Sequence, residues 1–273
     1  SILRKHGEKT GLFTSPHLIS FCERIRVNGK PISEREISKR INDIKTLVND
    51  WNEEPTFFEI TTALALEYFV DEKVDEPLPP AILTKIMTAY IAVEEIINGN
   101  LSLADEIHIS EKAWRMEGSK MFVGVNSQVS VEDLLRGIII QSGNDASVAV
   151  AEHIAGSEAA FVDLMNRYAE EMGLTGTHFE NSHGLPHPQH LSTARDLAAM
   201  AAAAIRVHPE RYAIYKEQSY TYNDITQYNR NHLLREDDSV DGLKTGYTSV
   251  AGYGLVASAK REGMRLISVV MGL

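Results

Sequence analysis

Residues 74–80 read VDEPLPP, with prolines at 77, 79 and 80. Proline locks φ and has no amide hydrogen to donate, so this cluster excludes both a helix interior and a central strand. It also pushes each preceding residue into extended backbone. The chain is therefore expected to divide here, into residues 1–75 and residues 76–273.

The two parts carry different patterns. In the first, TGLF is a short apolar run, and FCERIRVNG alternates apolar and charged residues before an Asn-Gly turn signal. Ser33 and Glu36 have capping-box spacing, and Ile37, Ile41, Ile44 and Leu47 recur on one helical face behind them. PTFFEITTALALEYFVDEK predicts a second helix, mostly buried, with Pro55 near its start.

The second part is helical first and stranded later. Residues 81–97 predict a helix ended by NGN, and four more helical segments follow, for which Ser130, Asp145, Ser157 and Ser192 are the expected N-caps. From about residue 218 the pattern becomes strands: QSYTYND, DGLKTGYT, GYGLVASAKREG and MRLISVVMG, with Gly263 in a hairpin turn. Helices followed by antiparallel strands predict an α+β domain, helices packed on an antiparallel sheet, behind an α/β fragment.

Composition sets outer limits. The 43% hydrophobic and 24% charged content is that of a globular protein with a sizeable core. Both parts are acidic, 11 Lys/Arg against 13 Asp/Glu and then 16 against 25, so nucleic acid is not the expected partner. No apolar run approaches the roughly 20 residues of a membrane-spanning helix, so no membrane segment is expected. The opening SILRKHGEKTG has no apolar signal-peptide core. A single cysteine, Cys22, excludes an intramolecular disulfide and is expected to pack as a small hydrophobe.

Three short motifs of the second part suggest chemistry. ILTK ends on Lys85, SGN spans Ser142 to Asn144 in a loop between two helices, and KTG spans Lys244 to Gly246 on a strand. A serine hydroxyl is a poor nucleophile without a neighbouring base, and residues i and i+3 share a helical face. A serine at position 82 would have Lys85 beside it, but the residue there is Ile82.

Order and placement of these stretches resemble the S-x-x-K, S-x-N and K-T-G motifs of the penicillin-recognising serine enzymes. The surrounding sequence, from WRMEGSK to NSHGL and again in SVDGLKTGYTSVAGYGLVASA, resembles the low-molecular-mass D-alanyl-D-alanine carboxypeptidases across residues 76–273. The resemblance implies a β-lactamase/transpeptidase-like fold, D-Ala-D-Ala peptides or β-lactams as ligands, and no cofactor. It implies that Lys85 accepts a proton, Ser142 relays one and Asn144 binds the substrate amide. Lys244 and Thr245 would hold the substrate carboxylate, and the strand around Gly246 would give one backbone N–H to an oxyanion hole.

Ile82 takes the nucleophile's position, and an aliphatic side chain cannot attack a carbonyl. Thr84, two residues on, projects from a different face. The expected protein is a catalytically impaired carboxypeptidase-like domain. A non-catalytic binder of the same ligands, or a recombined chain without a selected role, are the alternatives. Without its companion motifs Lys85 would read as an ordinary solvated lysine. His183, His187 and His190 match no standard zinc spacing, so no metal is expected there.

The first part has another likeness. KTGLFTSPHLISFCERIRVNGKPIS and FFEITTALALEYF resemble folylpolyglutamate and dihydrofolate synthases, relatives of the Mur ligases. That resemblance implies that Ser15 and Glu59 are vestiges of a magnesium site beside ATP. The phosphate-binding G-x-x-G-K-[ST] loop is not in the sequence, and Gly118-Ser119-Lys120 has the order reversed. ATP-dependent glutamate ligation is therefore the distant alternative. TGLF and FCERIRVNG are expected to cover the sheet edge left open at MRLISVVMG. The larger part resembles periplasmic enzymes and the smaller a cytoplasmic one, which leaves the compartment open.

Overall fold

The computed structural model describes residues 74–207, 209–261 and 263–272, and ahead of them 11–13, 20–27, 30–47, 57, 60, 61 and 63–65. Ser15, Glu59 and the Asn28-Gly29 turn lie outside the described residues. The chain forms two compact units, Ser1–Val74 and Asp75–Leu273.

In the first unit β1 (Gly11–Phe13), β2 (Ile25–Val27) and β3 (Lys30–Pro31) form a small antiparallel sheet with β2 in the middle. α1 (Glu34–Leu47) follows Ser33, whose Oγ accepts from the Glu36 amide at 3.2 Å, the cap that the spacing predicts. Ile25, Ile32, Ile44, Leu64 and Ala65 make the core, with Ile37 and Cys22 packed against it. Cys22 thus behaves as the expected small hydrophobe. Ile41, expected on the buried face, is 38% exposed, and Arg40 is 8% exposed in its place. The inward face runs through 37, 40 and 44, so the arginine stem packs while its head meets Glu36 at 3.3 Å.

The second unit begins with a 3₁₀ turn, Ala81–Thr84, which leads directly into α2 (Lys85–Ile97). The single helix expected over 81–97 is therefore two pieces, with the ILTK motif straddling the join. β4 (Glu106–His108) pairs antiparallel with β5 (Gln128–Ser130), and α3 (Glu111–Arg115) lies between them in the chain. α4 (Val131–Arg136) continues into a π-helical turn, Gly137–Gln141, and α5 (Asn144–Ala155) follows. α6 (Glu158–Glu171), α7 (Ala194–Val207) and the short α8 (Pro209–Tyr212) complete the helical half.

Ser130 and Ser157 cap α4 and α6 as expected. Two cap expectations are corrected. Thr193, not Ser192, accepts from the Asp196 amide and caps α7. Asp145 lies inside α5, and its carboxylate accepts from the amides of Met121, Phe122 and Val123. It fastens a neighbouring loop to the helix, while its Oδ1 also accepts from the Ala146 amide at 2.9 Å.

The chain then forms a hairpin of β6 (Ser219–Tyr222) and β7 (Ile225–Tyr228), turned by Asn223 and Asp224 at positive φ, as such two-residue turns require. After α9 (Leu233–Glu236) come β8 (Val240–Thr248), β9 (Gly252–Arg261) and β10 (Met264–Val270), an antiparallel sheet in the order β10-β9-β8. β10 pairs with β9 alone among the described residues, and β1 to β3 form a sheet of their own.

One core fills the helical half and reaches the sheet. α2 and α5 supply it from nearly all sides, including Ile86, Met87 and Ile91 from the first and Val148 to Ala151 from the second. A helix apolar all round is a buried one. Leu243 on β8 and Val256 on β9 join the same core, which ties the sheet to the helices.

Candidate active site

The three motifs come from three places: Ile82 from the turn before α2 with Lys85 as the first residue of that helix, Ser142 and Asn144 from the entry to α5, and Lys244 to Gly246 from strand β8. A cleft of about 560 Å³ opens between them, lined by Ile82, Ser142, Arg230, Thr245, Gly246 and Tyr247 among others. Its size suits a small-molecule site. Lys85 and Asn144 are buried behind the wall, 1% and 2% exposed.

The turn at 81–84 is held from below. Ala81 has φ of 49°, and Gly184, at φ of 87°, lies so close that a Cβ would fall 2.0 Å from the Ala81 carbonyl oxygen. Only glycine permits that approach. The neighbouring carbonyls are used as acceptors: Thr88 Oγ1 donates to Ser182 at 2.6 Å and Lys85 Nζ to His183 at 2.5 Å. Lys85 Nζ also donates to Asn144 Oδ1 at 2.6 Å.

Burial holds Lys85 well below the ordinary lysine value, and the charges of Lys244 and Arg230 push the same way. A neutral amine is what a proton acceptor requires. Burial, with Arg230 second, lowers Lys244 to about 7. Lys244 Nζ donates to the Thr245 carbonyl at 3.1 Å. Asn144 is bonded at both ends, since its Nδ2 donates to the Glu117 carbonyl at 2.6 Å.

Ser142 follows the π-helical turn in left-handed backbone, φ 63°, and is fully buried. Its Oγ has no hydrogen-bond partner among the described residues, although it borders the cleft. An unpaired buried hydroxyl is costly, and such a group in a cleft is suited to meet a ligand. Ile82 contributes only hydrocarbon, 9% exposed. Thr84 does not replace it: its hydroxyl donates to the Ala81 carbonyl at 2.7 Å and lies 2.7 Å from His190 Nε2, inside the fold.

His183 and His190 are bonded inside the fold. His190 Nδ1 accepts from the Glu180 amide at 3.0 Å, which leaves the proton on Nε2 for Thr84. Burial lowers His190 to about 3. His183 Nδ1 accepts from the Leu185 amide at 3.2 Å and its Nε2 faces Glu158 at 3.4 Å. Burial lowers it to about 4 against the pull of Glu158. No cluster of three metal-binding side chains occurs among the described residues.

The motif reading missed two groups. Arg230 borders the cleft and reaches both lysines electrostatically. Its chain position, fourteen residues ahead of Lys244, carries no signal by itself. Asp145 was legible only as a helix residue. With Arg230 and no carboxylate among the residues lining it, the cleft favours an anion.

Known proteins resemble this chain in sequence and fold. The profile of the S11 peptidases, D-alanyl-D-alanine carboxypeptidase, matches residues 68–273. D-alanyl-D-alanine carboxypeptidase DacC of Escherichia coli is 50% identical over 205 residues, 72% of this chain and 51% of that protein. The chain thus spans about half the length of the curated relatives it matches. Penicillin binding protein 5 of Haemophilus influenzae is similar in structure with a TM-score of 0.71 at 50% identity, over 73% of this chain and 59% of that one. Penicillin-binding protein D2 of Listeria monocytogenes, solved with ampicillin bound, gives 0.67 at 30% identity over 73% and 82% of the two chains.

Proposed function

The chain belongs to the D-alanyl-D-alanine carboxypeptidase family S11, and from that premise we propose that residues 76–273 form a carboxypeptidase-type domain that binds D-Ala-D-Ala peptides and β-lactams but does not complete acyl transfer. The observation that carries the reading is Ile82, a hydrocarbon in the cleft wall three residues before the buried amine of Lys85. With an oxygen at 82, Lys85 would take its proton and the oxygen would attack the carbonyl. Backbone N–H groups of residue 82 and of β8 would receive the developing oxyanion. Lys244, Thr245 and Arg230 would hold the ligand's carboxylate, and Ser142 Oγ would pass the proton to the leaving group. Binding uses all of these parts except the nucleophile, so it survives without turnover.

A fluorescent penicillin tests this. The unaltered chain is expected to bind it reversibly and to carry no label after denaturation, whereas Ile82→Ser is expected to keep a covalent label. Release of D-alanine from a pentapeptide by the unaltered chain overturns the proposal. No labelling of a well-folded Ile82→Ser protein favours a recombined chain without a selected role.

For residues 1–75 we propose a folylpolyglutamate-synthase-like fragment, on sequence wording alone, with no working nucleotide site. Calorimetry of residues 1–273 with Mg-ATP is expected to give no binding heat, because these residues hold no G-x-x-G-K-[ST] loop. A measurable heat would revive glutamate ligation.

A further inference from the structure

Two tyrosines at the mouth of the cleft have no part in the scheme above. Tyr247 and Tyr253 are register partners on β8 and β9, and both border the cleft. Their rings stack with centroids 4.4 Å apart and planes 36° apart. They are 51% and 63% exposed, and Val250, in the turn that joins the two strands, is 67% exposed. Two large aromatic faces left in water beside a binding cleft form an apolar surface awaiting a partner.

Strand geometry says where a ligand would meet them. The preceding register pair is Gly246 and Gly254. A Cβ on Gly246 would come within 3.3 Å of the Ile82 and Leu83 amides, so this pair faces the 81–84 turn. Alternation along the strand turns Tyr247 the other way, to the face it shares with Thr245. β8 is the edge of its sheet, so its backbone is open to a ligand lying alongside. A ligand anchored by its carboxylate near Lys244 and Thr245 would pass position 247 with the group on the far side of its reactive carbonyl.

We propose that Tyr247 and Tyr253 form an aromatic subsite that stacks on a planar, π-bearing acyl side chain of the bound ligand. The subsite selects among ligands of the cleft and rests on the reading of that cleft as a β-lactam and peptide receptor. Aromatic stacking beyond simple burial contributes a few-fold to about tenfold in affinity.

The test compares benzylpenicillin, which carries a phenyl group, with 6-aminopenicillanic acid, which has the same carboxylate and ring system without the acyl side chain. Titration calorimetry on the unaltered chain is expected to give about three- to tenfold tighter binding of benzylpenicillin. Tyr253→Ala, at an exposed position, is expected to abolish that ratio while leaving 6-aminopenicillanic acid unchanged, and Tyr253→Phe is expected to keep it. A ratio that persists in Tyr253→Ala, or equal loss for both compounds, overturns the subsite. Binding of neither compound by the unaltered chain defeats the receptor reading alone. The ratio is then read from acylation rates of Ile82→Ser and Ile82→Ser/Tyr253→Ala, and equal ratios there, or no acylation, overturn the subsite as well.

Discussion

The turn at 81–84 and the strand at 244–246 face one cleft, and they differ in what they present to it. The strand side presents the Thr245 hydroxyl, with the Arg230 guanidinium nearby and Lys244 buried behind the wall. The turn side has the same preparation behind it, with Lys85 buried and bonded to Asn144 and to the His183 carbonyl. Yet what it shows to the cleft is the aliphatic side chain of Ile82. In the proposed reading, preparation for chemistry and the ability to perform it are separable within one short segment: burial and hydrogen bonding would set the state of the base, while the side chain at 82 would decide whether that base has a proton to take.

The largest effect that would sharpen this contrast is nucleophile restoration. In serine hydrolases loss of the nucleophile costs on the order of 10⁶ in rate. Ile82→Ser is therefore expected to raise acylation by benzylpenicillin by several orders of magnitude, read by intact-protein mass spectrometry. A restored rate near background would mean that the turn side is not prepared after all.

Backbone geometry comes next. Gly184→Ala would place a Cβ against the Ala81 carbonyl at a φ that favours glycine. A loss of roughly 2–4 kcal/mol in chemical unfolding is expected from clash and strain together. An unchanged midpoint would show that the 81–84 turn is not supported from that loop.

Acid acts on the two histidines packed behind the turn side. His183 and His190 are held to about 4 and about 3 by burial, below the ordinary histidine value. The unfolded chain therefore binds more protons than the fold at mildly acid pH. Their contribution is complete above about pH 6.5 and is lost as pH falls towards 4 and then 3, at about 1.4 kcal/mol per unit of pKa. Unfolding temperature measured across that window is expected to fall with pH, and His190→Gln is expected to flatten the slope.

The smallest effect concerns the strand side. A ligand carboxylate favours the charged form of Lys244, whose amine titrates at about 7. Affinity for 6-aminopenicillanic acid is expected to be highest below that value and to weaken about tenfold over the next units of pH. Lys244→Met is expected to remove the pH dependence together with most of the affinity. A flat profile in the unaltered chain would assign the anion to Arg230 alone.

Much of this site was readable in the residues. Ile82, Lys85, Ser142 and Lys244 were placed by motif spacing, and the order of helices before strands predicted the α+β architecture. Periodicity was less reliable where a long polar side chain can bury its stem, as Arg40 does in place of Ile41. Capping residues were displaced where another polar group lay one position away, as Thr193 does beside Ser192. Arg230 was not legible, because its role comes from charge converging across a cleft, with no local pattern to mark it.

The sequence alone determined that position 82 carries hydrocarbon, since a side chain's identity needs no coordinates to be recognised. It also determined the order of elements, because hydrophobic periodicity and proline placement are local properties. Tertiary structure decided the state of each polar group. Lys85 lost its favour for charge because burial desolvates it, Thr84 lost its availability to His190, and the Ser142 hydroxyl has no partner among the described residues. Those outcomes depend on desolvation and on neighbours distant in the chain, which no local stretch of residues encodes.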